Sequence, residues 1–70
     1  MLSLATAPIG TIRQVKWIAC EQIISEFLEE YGLIQGKDVQ VVSSAKGSVI
    51  VAVGENRLAM GRDLAERIKV

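Results

Sequence analysis

The stretch Ile23-Ile24-Ser25-Glu26-Phe27-Leu28-Glu29-Glu30-Tyr31-Gly32-Leu33-Ile34-Gln35-Gly36-Lys37-Asp38-Val39 decides the fold. Its first half has the period of an amphipathic helix. With Cys20 included, the apolar residues Cys20, Ile23, Ile24, Phe27, Leu28 and Tyr31 fall at i, i+3, i+4, i+7, i+8 and i+11, with glutamates on the other face. The spacing predicts a helix over Cys20 to Tyr31 with all six on one apolar stripe. Gly32 stands where a helix ends on a left-handed residue, and Leu33 is placed to fold back on the last turn. Ile34-Gln35-Gly36-Lys37 fits a type II turn, whose third position requires positive φ and holds Gly36. A strand begins at Val39.

Working outward, Val39-Gln40-Val41-Val42-Ser43 and Ser48-Val49-Ile50-Val51-Ala52-Val53 are strands joined by the hairpin turn Ala45-Lys46-Gly47. Val49, Val51 and Val53 share one face. Gly54-Glu55-Asn56 turns again into a third strand, Arg57-Leu58-Ala59-Met60, which Gly61 breaks. Arg62 to Ile68 reads as a short helix with Leu64, Ala65 and Ile68 on one side. Asp63 near its start, and Arg67 and Lys69 at its end, suit the helix dipole. Val70 is left to add to an edge strand. Toward the N-terminus, Leu2-Ser3-Leu4 alternates as a short opening strand and Pro8-Ile9-Gly10 is a turn. Thr11 to Ile18 is a strand with Ile12, Val15 and Ile18 facing inward. Their spacing of three breaks strict alternation and calls for a bulge or strong twist. No repeat, linker or low-complexity segment interrupts the order.

Seventy residues make one domain, residues 1–70. A chain of that length buries only roughly 60% of the surface its unfolded form exposes. Half of the residues are apolar, so this is not a disordered tail. A core of this size leaves little room for a substrate pocket as well. The net charge is zero, and nothing draws the whole molecule to a polyanion. The charges are nevertheless segregated. Cys20 to Tyr31 holds Glu21, Glu26, Glu29 and Glu30 and no base, while the remainder holds all eight Lys and Arg against four acids. The lone Cys20 excludes an internal disulfide, as suits a reducing compartment. Met1 to Ile9 lacks the basic start of a signal peptide, and no apolar run approaches the ~20 residues of a membrane span. The expectation is a cytoplasmic protein.

Chemistry is sparse. With no histidine and one cysteine, the chain cannot build a transition-metal cage from soft ligands. Glu26, Glu29 and Glu30 share a helix face and offer weak oxygen ligands at most, and a solvated acidic surface is their ordinary role. The expectation is no metal site and no cofactor. Cys20 sits at a helix N-terminus, a setting for reactive thiols, but also on the apolar stripe, where cysteine packs as a small core residue. The packing role is favoured. No paired acid and nucleophile occurs, and Gly54 and Gly61 do not form a phosphate loop. An enzyme is not expected. Small β barrels also bind nucleic acid through bases interleaved with aromatics, and that is the alternative. Here the bases are scattered, and Phe27 and Tyr31 belong to the helix stripe. Trp17 keeps two readings: it covers one end of the barrel against Leu33, or it is half exposed beside Lys16 as a binding residue.

Taken together, the chain resembles the ferrous iron transport protein A (FeoA) family. Leu2, Leu4 and Gly10 resemble the family's opening, and Val15 and Ile18 its first long strand. Leu28, Gly32-Leu33, Gly36 and Val39 resemble its central "LGL.PG..V" segment. Asn56-Arg57-Leu58-Ala59-Met60, Ala65, Ile68 and Val70 resemble its close. The departures are Phe27 in place of an arginine, Ala19-Cys20-Glu21 in place of a glycine-rich lead, Gln35 in place of the turn proline, and the short hairpin Ser44-Ala45-Lys46-Gly47. The resemblance implies a mostly β fold with two short helices, a small SH3-like barrel. It implies an accessory role in ferrous iron uptake, through the cytoplasmic GTPase domain of the permease FeoB. Similar domains also occur fused to metal-dependent repressors. Contact is expected around Trp17, Lys16 and Lys46 of the hairpin turn, extended by Arg57, with Gly32 and Gly36 as structural turns. Weak self-association is left open. A nucleic-acid-binding or regulatory module unrelated to iron remains the alternative.

Overall fold

The computed structural model describes residues 2–70; Met1, the first residue of the apolar opening run, lies outside them. Eight elements follow in chain order: β1 Ile12–Gln14, β2 Trp17–Ile18, α1 Gln22–Glu30, β3 Asp38–Ser44, β4 Ser48–Val53, β5 Asn56–Gly61, α2 Arg62–Ala65 and β6 Ile68–Lys69. One antiparallel sheet has the order β1-β3-β4-β5, and β2 pairs with β6 in a second, two-stranded sheet. The fold is mostly β with two short helices. Its two sheets are not joined into one closed hydrogen-bonded barrel.

The larger sheet follows from alternation. Val39 and Val41 of β3, Val49, Val51 and Val53 of β4, and Leu58 and Met60 of β5 are all buried. The ladder sets Val41 against Val51, Val49 against Met60 and Val51 against Leu58, so β-branched and long side chains meet on one face. A register shift between Val41 and Ser43 bends β3. Around this layer close Leu4, Val15, Leu28, Leu33, Ala65, Ile68 and Val70.

The first strand region differs from the continuous Thr11–Ile18 strand expected from its composition. It breaks after Gln14, and Val15 and Lys16 form a corner between the two sheets. At the corner Val15 N–H donates to Lys37 C=O and Lys16 N–H to Lys69 C=O, both at 2.8 Å. The corner does what the expected bulge would do. It also corrects one inward assignment. Val15 is buried and Ile18 partly so, but Ile12 is 66% exposed. Ile12 pairs with Gln40, which in turn pairs with Ala52, the partner of Arg57. It therefore lies on the outer row of the sheet, because directly opposed residues share a face.

Leu2-Ser3-Leu4 contributes only a single bridge, Ser3 to Lys69, before the chain turns. Leu4 N–H donates to Ile68 C=O at 2.9 Å and Val70 N–H to Leu2 C=O at 2.8 Å, so the two chain ends lie side by side. The second helix is shorter than Arg62 to Ile68: it stops at Ala65, and Ile68 belongs to β6. The third strand stops at Gly61 as expected, with Gly61 its last residue and the N-cap of the helix that follows.

The helix stop is as the glycines predict. Leu33 N–H bonds Leu28 C=O at 3.0 Å and Gly32 N–H bonds Glu29 C=O at 2.9 Å, the paired pattern of a Schellman end. Gly32 has φ 85° and Gly36 has φ 93°. Lys37 N–H closes the following turn on Ile34 C=O at 3.2 Å. A Cβ on Gly32 would meet Val53 Cγ1 at 3.6 Å, ordinary contact, and one on Gly36 would meet nothing within 4 Å. Any penalty at these positions is therefore conformational rather than steric crowding. Gly32→Val and Gly36→Val are each expected to cost about 1–3 kcal/mol, read as a lower denaturant midpoint at unchanged m-value. Unchanged midpoints in both variants would contradict this.

Candidate functional site

The large apolar side chains left outside the core are the features that stand out on the surface. Trp17 is 59% exposed on β2. Its cross-strand partner is Lys69, so an ammonium stem lies beside the indole on the same sheet face. Lys69 Nζ donates to Glu66 C=O at 2.8 Å, which fixes where that cation sits. Lys16 is also exposed, and its Nζ donates to Gln14 Oε1 at 3.2 Å. Lys16 precedes Trp17 at the corner before β2, and its side chain turns back toward Gln14 of β1.

The other two bases of the expected contact stand elsewhere. Lys46 lies in the turn after β3, whereas the β1–β2 corner is bonded to Lys37 just before β3 begins. A seven-residue strand separates them, roughly 20 Å of rise. Arg57 is on the outer row with Ala52, Gln40 and Ile12. The structure sets Trp17 opposite Lys69 and places Lys46 in the β3–β4 turn and Arg57 on β5. Lys69 could not be found from the sequence, because its partnership with Trp17 rests on pairing two-residue strands from opposite ends of the chain.

The first helix is turned differently from the expected stripe. Of its residues only Leu28 is fully buried, with Ile24 and the preceding Cys20 partly buried against the core. Ile23 is 72%, Phe27 48% and Tyr31 37% exposed. At 100° per residue, Phe27 points about 100° away from Leu28, and Ile23 about 140° away. Six apolar positions spread over two-fifths of the wheel, and the core takes up one edge of that arc. Phe27 and Tyr31 stack on each other instead, with ring centroids 5.1 Å apart and planes tilted by 57°. Asn56 Nδ2 donates to Tyr31 C=O at 3.2 Å and ties the helix end to the β4–β5 turn.

Between the start of α1 and α2 lies a groove of about 250 Å3 lined by Cys20, Glu21, Ile24, Asp63, Leu64 and Arg67. Cys20 Sγ is 3.3 Å from Ser25 Oγ and partly packed against the core, in keeping with a packing role. Among the described residues, no three His, Cys, Asp or Glu side chains come together as metal ligands. Among the same described residues, no helix is long and apolar enough to cross a membrane.

Two short antiparallel sheets wrapped on one core, with two brief helices at the margin, define a small SH3-like β domain whose notable surfaces are apolar and charged patches. The FeoA domain family model matches residues 2–70, and the chain belongs to the FeoA family. A crystal structure of an iron uptake regulatory protein (FeoA) superposes with TM-score 0.85 at 29% identity, covering 96% of this chain and 91% of that one. The solution structure of the FeoA protein from Chlorobium tepidum also has TM-score 0.85, at 24% identity, over 97% of this chain and 67% of its own. FeoA from Stenotrophomonas maltophilia, crystallised with zinc and described as a prokaryotic SH3 domain protein, has TM-score 0.70 at 23% identity, covering 97% and 87%. No curated protein sequence matches the chain.

Two measurements check this description of the surface. Leu28→Ala should cost about 2–5 kcal/mol in chemical denaturation, whereas Ile23→Ala should change stability by less than about 0.5 kcal/mol. Equal effects would mean that the stripe faces the core after all. Calorimetry with ferrous or zinc ions should show only weak binding, and a stoichiometric submicromolar site would direct attention to the glutamates of α1.

Proposed function

We propose that this protein is a small cytoplasmic accessory of ferrous iron uptake, which binds the cytoplasmic GTPase domain of the FeoB permease and modulates transport without chemistry of its own. The observation that carries the reading is the family match over residues 2–70. It is supported by the neighbour named as an iron uptake regulatory protein, and by the Stenotrophomonas protein, described as possibly acting as a ferrous iron transport activating factor.

The contact centres on Trp17 and Lys16. A large, stiff aromatic left in water is a costly arrangement for a free domain and a productive one at an interface, where tryptophan commonly dominates the binding energy. Lys69 beside the indole can pair with acidic groups on the GTPase domain. Lys46 and Arg57, away from that centre, act through the long-range field, raising the rate of encounter rather than the lifetime of the complex.

The test is capture of a purified FeoB cytoplasmic domain on the immobilised protein, followed in real time. Wild type should bind, and Trp17→Ala should weaken affinity by about tenfold or more, mainly through faster dissociation, with an unchanged circular dichroism spectrum. Lys46→Glu and Arg57→Glu should slow association, and raised salt should erase their effect. Failure of the wild-type protein to bind, or full binding by Trp17→Ala, would overturn the proposal.

A further inference from the structure

We propose that the outer face of α1 is a second docking surface, and that its occupant is a basic amphipathic helix of a partner protein. Ile23, Phe27 and Tyr31 stand at i, i+4 and i+8 and form one ridge along the helix, continued past the glycine stop by exposed Ile34. The ridge is about 12 Å long, a little over two helical turns. The core holds the helix through Leu28 and Ile24, leaving Ile23 and about half of Phe27 in water with Tyr31 at the margin. An apolar ridge of this kind on a small domain marks an interaction surface, and its spacing suits a second helix laid along it.

Charge identifies the occupant. No Lys or Arg occurs anywhere between Lys16 and Lys37, while Glu21, Glu26, Glu29 and Glu30 all fall in that interval. On the helical wheel Glu30 and Glu26 follow directly beside Ile23, so carboxylates border the ridge along its solvent side. Glu29 and Glu30 also occupy the last turn of the helix, where the carbonyl ends already carry negative potential, and no base offsets them there. A cation arriving at this end relieves both conflicts at once. A second copy of this chain would bring the same glutamates face to face, and an anionic membrane or a nucleic acid would be repelled likewise. A helix with leucines on one side and lysines or arginines along its borders matches the ridge and the rim together, and its long basic side chains can lie over the aromatic rings.

The probe is a synthetic 18-residue helical peptide of leucine and lysine, titrated into the 15N-labelled chain, with a leucine–glutamate peptide as control. The basic peptide should bind in the micromolar range and move amide signals of α1 and the Tyr31–Ile34 segment, and the acidic peptide should not bind. Joint replacement Phe27→Ala and Tyr31→Ala should weaken binding at least tenfold. Glu26→Lys with Glu30→Lys should abolish it, while Asp38→Lys leaves it unchanged. Trp17→Ala should bind the peptide as wild type does, so failure here is separable from failure of the FeoB contact. The proposal is overturned if signals move elsewhere, or if the aromatic replacements have no effect and binding is merely electrostatic. It is equally overturned if α1 signals shift with protein concentration alone, showing self-association, or if phosphatidylcholine vesicles capture the protein through this face.

Discussion

The valine layer between β3 and β4 is the interaction on which everything else in this domain depends. Val39, Val41, Val49 and Val51 are at most 1% exposed, and β-branched side chains on a pleated surface hold their rotamers with little freedom. Each fully buried side chain of this kind contributes about 1.5–3 kcal/mol, an upper bound that chain entropy largely offsets. Elements that reach the layer are held, and each sends one or two residues to it: Val15 from the corner, Leu28 from α1, Leu33 from the helix stop, Ala65 from α2 and Ile68 from β6. Both chain ends are tied beside it through the Leu4–Ile68 and Val70–Leu2 hydrogen bonds. Chain segments distant in sequence thus depend on two adjacent strands.

That dependence explains which parts of the fold could be read from the residues. The β3–β4–β5 meander was legible because alternating valines and turn residues act locally. Gly32 and Gly36 were legible for the same reason: a backbone that must reverse needs positive φ, whatever surrounds it. The rotation of α1 was not. Cys20, Ile23, Ile24, Phe27, Leu28 and Tyr31 define an apolar arc, but the sequence cannot say how much of that arc a small core will accept. Here the core accepts Leu28 and parts of Ile24 and Cys20 and leaves the aromatics outside. The pairing of β2 with β6 was hidden as well. Two residues per strand leave no period to detect, and the pairing is decided by how the ends pack. Ile12 was misplaced because the corner at Val15 and Lys16 resets the alternation of the chain.

The candidate site shows the same division. Trp17 could be recognised as unusual from its type, since the apolar stripe of the helix does not need it. Its companions could not be chosen by reading the chain. Lys46 and Arg57 belong to the four-stranded sheet and its turn, whereas Trp17 stands on the two-stranded one. The actual topology puts Lys69 next to the ring and sends Lys46 to the far end of β3. Charge sign was legible everywhere, and charge position only where a local element fixed it, as in α1.

Net neutrality conceals the chain's most consequential property, the separation of its charges. All acids between Lys16 and Lys37 lie on or just before one helix, and the helix contains no base to form supporting i, i+4 pairs. Glutamates in its last turn oppose its dipole, and the start of the helix has no side-chain cap. Judged as a contribution to the stability of an isolated domain, α1 is poorly composed. Its exposed aromatics are on the same element as its misplaced charges. Local rules broken together at one place, in a sheet that otherwise obeys them, are what an element shaped by something outside the domain looks like. The basic remainder of the surface, with Trp17 at one end, is the complementary half of that arrangement. A molecule so divided can present opposite potentials to two different partners while its own net field stays near zero.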